Sequence, residues 1–272
     1  MKVIVAINGS ITAESMAFYA IKYAQVEKYT IVLLHIENFK DNIDDVKASV
    51  NRISTLALAQ KVAIEYIILK GQIKSVIKTF LSNNNTDIIF CSTRKNKSFI
   101  TNSFSELLIK MNLGVDIAIA RIVKISNIID INTIMLSIKE DKLSVKKFTF
   151  FSTIASAYKA DAEIYSVSNM SKWKFSKVDI HQARQKLGTI NYNLRHYTKL
   201  ANFMPFKMRI KHDFTSTGIE SLLTRIVKSN TQLVVIGARR LSVKSFFKKE
   251  IPIEKLMREA SVNIIAYYPS RN

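Results

Sequence analysis

The sequence predicts an α/β protein of two tandem doubly wound domains, each a five-stranded parallel sheet with helices on both faces. Two observations carry this. Short continuous apolar runs alternate with segments of helical period, as strands buried on both faces alternate with the helices that cover them. The order then occurs twice. Lys2–Ile7, Asn8-Gly9-Ser10 and a helix start have a counterpart 131 residues on, in Thr133–Ile138, Lys139-Glu140-Asp141 and Ser144–Phe148. Asp87–Cys91 followed by Ser92-Thr93-Arg94-Lys95 has one 145 residues on, in Gln232–Ile236 followed by Gly237-Ala238-Arg239-Arg240. A repeated unit usually folds as a unit, which divides the chain into residues 1–124, a linker-like stretch at 125–131 and residues 132–272.

Each element follows from its own pattern. Residues 2–7 are an uninterrupted apolar run, and the helix expected over 12–28 places Met16, Ala17, Ala20, Ile21 and Ala24 on one face. Further strands are expected at 30–36, 63–69, 87–91 and 116–121, with helices at 43–61, 73–82 and 104–112. The second half gives strands at 133–138, 162–168, 207–212, 232–236 and 262–267, and helices at 142–158, 179–201, 216–229 and 252–260. Such alternation demands right-handed crossovers and a parallel sheet. The halves differ most at Met170–Met204, where the second carries a longer and more basic helical segment.

Composition limits the function classes. With 272 residues, 48% of them hydrophobic, the chain can bury two cores, which excludes disorder. The single cysteine, Cys91, ends an apolar run and reads as a small buried hydrophobe; one cysteine forms no disulfide framework or cysteine metal site within the chain. The apolar start is cut short by Asn8-Gly9-Ser10 and Glu14, too soon for a signal peptide or a transmembrane segment, so a cytoplasmic protein is expected. The net charge of +20 is uneven: 16 Lys and Arg against 11 Asp and Glu in residues 1–131, but 25 against 10 in residues 132–272. Such an excess attracts nucleic acid, anionic lipid or acidic proteins, and an Ile-, Lys- and Asn-rich composition is also what drift in an AT-rich genome leaves.

The element order, with Ile4-Val-Ala-Ile-Asn-Gly-Ser10 at its start, resembles the universal stress protein family across essentially all of both halves, as a tandem member. Leu33-Leu34-His35-Ile36 is similar to that family's second strand. Val234-Val-Ile-Gly-Ala-Arg-Arg-Leu-Ser242 and Ile253–Met257 resemble the two flanks of its glycine signature, and Ser103–Leu108 its last helix start. The resemblance implies an adenine-nucleotide-binding fold whose glycines let the backbone approach phosphates beside a helix N-terminus. It also implies homo-oligomers, and an intrachain pseudo-two-fold in which Asp116–Arg121 and Val262–Tyr267 pair antiparallel.

The departures bear on function. The three glycine positions of the signature are Ser92, Lys95 and Asn102 in the first half, after a three-residue deletion, and Gly237, Arg240 and Glu250 in the second. The acidic residue that closes the family's first strand is Asn8 here, and Lys139 in the second half. Ordinary ATP binding is therefore not expected in the second half. The first half keeps a candidate site for ATP, AMP or phosphate: Asn8, Gly9, Ser10, Ser92, Arg94, Asn102, Ser103 and Ser105, with Lys95 and Lys97 as further cations; Gly237 and Arg239 are the equivalent candidates in the second half. The competing reading makes Arg94–Lys97 a solvated loop and the serines helix caps, Ser103 with Glu106 as a capping box.

Other chemistry is sparse. There is no P-loop, dinucleotide fingerprint, nucleophile elbow or His-Glu-x-x-His, and His35, His181, His196 and His212 are scattered rather than spaced for a metal. Asp41, Asp44 and Asp45 read as a helix start. Basic clusters at Lys172–Lys177, Lys207–His212 and Arg239–Lys249 interleave with Trp173, Phe246 and Phe247, an arrangement suited to stacking on bases or entering a membrane surface; solvated lysines over a folded-back core are the alternative. The expectation is a non-enzymatic stress-protein-like binding or regulatory module with weakened ATP binding. A nucleotide-binding protein using the first half and a nucleic-acid-associated factor using the second remain open beside it.

Overall fold

The computed structural model describes residues 1–38, 41–93, 104–111, 113–138, 144–171, 173, 176–238 and 252–270. The first half runs β1 (Lys2–Ala6), α1 (Ile11–Glu27), β2 (Thr30–Ile36), α2 (Ile43–Ala59), β3 (Ile64–Leu69), α3 (Ile73–Ser82), β4 (Thr86–Thr93), α4 (Phe104–Lys110) and β5 (Asp116–Arg121). The second repeats it as β6 (Thr133–Ile138), α5 (Val145–Tyr158), β7 (Asp161–Asn169), α6 (Ile180–Ala201), β8 (Met208–Thr215), α7 (Gly218–Lys228), β9 (Leu233–Gly237), α8 (Pro252–Glu259) and β10 (Asn263–Tyr268). Each strand and helix lies within a few residues of its expected place. The largest difference is β8, which continues through Asp213-Phe214-Thr215 because the whole of it pairs with β7 out to Asn169, so His212 lies inside the strand rather than at its end.

Within each half all pairings are parallel, in the order β3-β2-β1-β4-β5 and its counterpart β8-β7-β6-β9-β10. The halves join through β5 and β10, which pair antiparallel from Ile264 opposite Arg121 to Tyr268 opposite Ile117, giving one ten-stranded sheet. Large side chains face small ones across the joint: Ile265 stands opposite Ala120, Tyr267 opposite Ala118 and Ala266 opposite Ile119. That alternation fills the two faces without overlap. One face is covered by α1, α2, α5 and α6 and the other by α3, α4, α7 and α8, each over its own continuous core.

The joint is closed at three places. Over its middle, α1 and α5 bring aromatic rings together: Tyr23 lies 5.8 Å from Phe90 and 5.6 Å from Phe150 between ring centres, and Phe150 stacks on Tyr267 at 4.5 Å with planes 14° apart. At one end Asn263, fully buried, accepts from the N–H groups of Val123 (2.7 Å) and Lys124 (2.9 Å) and donates to the Tyr19 hydroxyl (2.9 Å) and the Lys124 carbonyl (2.8 Å). Beside it the buried Arg121 donates to the carbonyls of Arg258 (2.9 Å) and Ala260 (3.0 Å), so a cation of the first half closes the C-terminus of the last helix of the second. At the other end Asp116 accepts from the Tyr267 hydroxyl and from the backbone N–H of Ser270 at 2.7 Å. The stretch between the halves, expected as a linker, is packed: Ile125–Ile128 form a 3-10 turn, Ile128 and Ile131 are buried, and Tyr158 donates to the Ile128 carbonyl at 2.9 Å.

Two predictions follow from the joint. Asn263→Ala leaves the Val123 and Lys124 N–H groups buried without acceptors, and should cost about 3 kcal/mol in denaturant unfolding. Burial pushes the hydroxyls of Tyr19, Tyr23 and Tyr267 well above the ordinary value of 10.0, with the Asp87 charge adding at Tyr23 and the Asp116 hydrogen bond at Tyr267. Above pH 10 the unfolded chain releases these protons while the folded chain keeps them, so their contribution is full below pH 10 and falls as pH rises, by about 1.4 kcal/mol per tyrosine per pH unit. The part of the tyrosinate absorbance that comes from these buried tyrosines should therefore appear in the same cooperative alkaline transition that abolishes the helical circular dichroism.

Candidate functional site

In an open parallel sheet the ligand crevice forms where strand order reverses, at the carboxyl ends of the strands. Here that occurs twice, between β1 and β4 and between β6 and β9. Because the halves join antiparallel, the two crevices open at opposite ends of the sheet.

Of the residues expected at the first crevice, Asn8, Gly9 and Ser10 follow β1, Ser92 lies near the end of β4 beside Thr93, and Ser105 is buried in the first turn of α4. Arg94, Lys95, Lys97, Asn102 and Ser103 lie outside the described residues, as does Arg239 in the second half. The loop after β1 satisfies itself. The Asn8 carboxamide oxygen accepts from the Ser10 hydroxyl (2.7 Å) and the Ser10 N–H (3.2 Å), and Ser10 caps α1, its hydroxyl oxygen accepting from the Ala13 N–H at 3.4 Å. The serine is thus a helix cap. Buried His35 fixes the strand just before the loop, with Nδ1 3.1 Å from the Ile7 carbonyl, an acceptor that places the ring proton on Nδ1.

Gly9 has a packing reason for being glycine. Its φ of +75° is left-handed, and a Cβ built there would stand 2.9 Å from the Val46 nitrogen and 3.0 Å from the carbonyl carbon and Cβ of Asp45. What approaches the bare backbone is the first turn of α2. That turn is capped by Asn42, whose side chain accepts from the Asp44 N–H at 3.0 Å, and carries Asp44 and Asp45, as the sequence predicted of a helix start. Asp45 beside the glycine disfavours an anion there. A second carboxylate, buried Glu106, lies in the first turn of α4 and pairs with Lys110 one turn on.

At the second crevice Gly237 closes β9, and a Cβ there would stand 2.4 Å from Cδ of Lys147 and 2.7 Å from its Cε and Nζ. The side chain of a residue in the first turn of α5 therefore lies over the one signature glycine that this half retains. Lys146 beside it donates to the Ser270 hydroxyl at 2.7 Å. Sequence reasoning missed Lys147. Its only signal was a pair of lysines where the first half has Ser15 and Met16 on the corresponding helix.

Elsewhere, Cys91 is buried, which pushes its thiol up, away from reactivity. Among the described residues no three His, Cys, Asp or Glu side chains converge as metal ligands. His212 sits between Ser166, whose hydroxyl is 3.1 Å from Nδ1, and the edge of Phe214. In β8 the exposed Arg209 and Lys211 alternate with half-buried Met208 and Ile210, as a half-exposed strand requires, while the Arg239–Lys249 cluster with Phe246 and Phe247 lies outside the described residues. A cleft of about 580 Å³, lined by Asn191, Leu194, Arg195, Thr198, Lys199, Ile210 and His212, runs along the outer flank of α6, away from both crevices.

These features define a two-half doubly wound protein with the universal stress protein fold. Among solved structures it is similar to a universal stress protein from Archaeoglobus fulgidus DSM 4304, at 14% identity and a TM-score of 0.64, covering 97% of each chain. It is also similar to a functionally unknown protein from Pseudomonas aeruginosa PAO1, at 12% identity and a TM-score of 0.65, covering 99% of this chain and 92% of that one. A third likeness is to the cytoplasmic domain of a prokaryotic cation chloride cotransporter, at 13% identity and a TM-score of 0.60, covering 99% of this chain and 95% of that one. At such identities the likeness establishes the fold. No protein-family model matches the sequence, and no curated protein does. No helix among the described residues is long and apolar enough to cross a membrane.

If Gly9 serves packing, Gly9→Ala should destabilise the nucleotide-free protein by about 2 kcal/mol, from the left-handed backbone and the displaced turn of α2. Denaturant unfolding checks this; a loss of about 1 kcal/mol or less would mean that only the left-handed backbone, and not the contact with α2, resists a side chain there.

Proposed function

We propose that the protein is a non-enzymatic binding or regulatory module of the stress-protein type, in which ATP binding has been weakened or lost in both halves. The observation that carries the reading is the backbone of the first turn of α2 packed against Gly9. Where a nucleotide-binding relative would leave bare backbone for phosphates, the first half of this chain places a turn of its own helix. Asn8 in place of a carboxylate, and Asp45 and Glu106 near the first crevice, act in the same direction. In the cotransporter the same fold is a cytoplasmic domain, which supports a module acting through what it contacts.

The test is the melting temperature of nucleotide-free protein with and without millimolar ATP, AMP or phosphate, with magnesium, at low and high salt. A working site with ligand at about 100 times its Kd would add about 2.7 kcal/mol. The expected result is no shift, or a small one common to all anions and removed by salt. A magnesium-dependent, salt-resistant shift specific to ATP would overturn the proposal. It would move the function to the first crevice, with Asn8, Gly9, Ser10, Ser92, Arg94, Asn102, Ser103 and Ser105 as its residues.

A further inference from the structure

The second helix of each repeat occupies the same place and meets the sheet differently. α2 reaches the core in its first turn through Val46 and continues through Ser49, Val50, Ile53 and Ala57. α6 has 22 residues against 17, and its first buried side chain is Ile190, followed by Leu194 and Tyr197. About 15 Å of helix, residues Ile180–Thr189, comes before that. The apolar stripe nevertheless extends through it. Ile180, Ala183 and Leu187 repeat the spacing of Ile190, Leu194 and Tyr197 and so share one line of the helix. Ile180 is 64% exposed and Leu187 47%.

Charge decides what covers this stripe. α6 contains Arg184, Lys186, Arg195 and Lys199 and no Asp or Glu, and residues 170–211 hold 10 Lys and Arg against Asp179 alone. A second copy would set this charge against itself, so the occupant is anionic. Arg184 and Lys186 lie on either side of the stripe, and just before the N-cap Asp179 stands Trp173, 65% exposed, with the Lys177 ammonium 3.9 Å from its ring centre. Nucleic acid would use the cations and the indole and leave Ile180 and Leu187 idle. The headgroup region of an anionic bilayer uses all three: apolar side chains and the tryptophan enter the acyl boundary while lysine and arginine meet the phosphates.

We infer that the N-terminal half of α6, together with Trp173, is a membrane-surface contact for anionic phospholipid. This goes beyond the proposed loss of ATP binding and does not depend on it.

The chain has one tryptophan, so Trp173 emission reports directly on the contact. The full chain would be mixed with vesicles of phosphatidylcholine alone, or with roughly one third phosphatidylglycerol, and followed by sedimentation and fluorescence. Sedimentation only with the anionic vesicles and a blue shift of Trp173 emission are expected. The pair Ile180→Asp and Leu187→Asp should lower partitioning at least about tenfold, and Arg184→Gln with Lys186→Gln should lower it too. All four residues lie outside the core, and unchanged circular dichroism and melting temperature would confirm folded variants. Absence of binding, equal binding to neutral vesicles, an unshifted emission, or an Ile180/Leu187 variant that binds like the parent would each overturn the inference. Quenching of Trp173 by mixed single-stranded DNA with no vesicle binding would do so as well, and would assign the surface to nucleic acid.

Discussion

Backbone hydrogen bonding between β5 and β10 is the constraint on which the rest of the molecule depends. Each half alone would end in an apolar strand with unpaired N–H and C=O groups, an edge that invites aggregation. Pairing the two edges removes both and leaves β3 and β8 as the outer strands of a ten-stranded sheet. Ion, amide and ring chemistry then gathers at this line. Arg121 crosses to the end of α8, Asn263 to the turn after β5, Asp116 to the end of β10, and Phe150 packs between Tyr23 and Tyr267. Buried polar groups of this kind are costly unless every partner is present, so the joint tolerates little sliding.

A rigid joint leaves the crevices at the strand ends free to change. The fold positions loop, strand end and helix start there whatever the chain does with them. In this chain α2 packs against Gly9, and Gly237 lies beneath the Lys147 side chain. A glycine can thus be required by packing alone, whether or not a ligand approaches it. The neighbours of the missing Cβ show what each glycine packs against.

Much of the fold was legible in the sequence because it rests on period and repetition. Residues 2–7, 30–36 and 133–138 are dominated by apolar side chains and proved to be central strands, and the antiparallel meeting of 116–121 with 262–267, implied by the family resemblance, is present. The site was less legible because it depends on long-range side-chain placement. Nothing local to Lys147 says that its stem reaches Gly237, 90 residues away. Asn263 opens a strand as one more polar residue, and only the packed fold brings Val123, Lys124 and Tyr19 to it. The end of β8 was missed for a related reason: Asp213 looks like a strand terminator, yet its carboxylate accepts from the Tyr165 hydroxyl at 2.9 Å and the pairing continues past it.

The antiparallel joint also sets the symmetry of the whole. Two identical halves related this way would form an object with no front or back, offering the same surface at either end. Here the halves are covalently joined and have diverged. The charge is concentrated in the second, and α6 extends beyond its core contacts where α2 does not. The assembly is therefore a vector: whatever meets the α6 end leaves the carboxyl end of the first half pointing the opposite way, towards a different compartment of contacts.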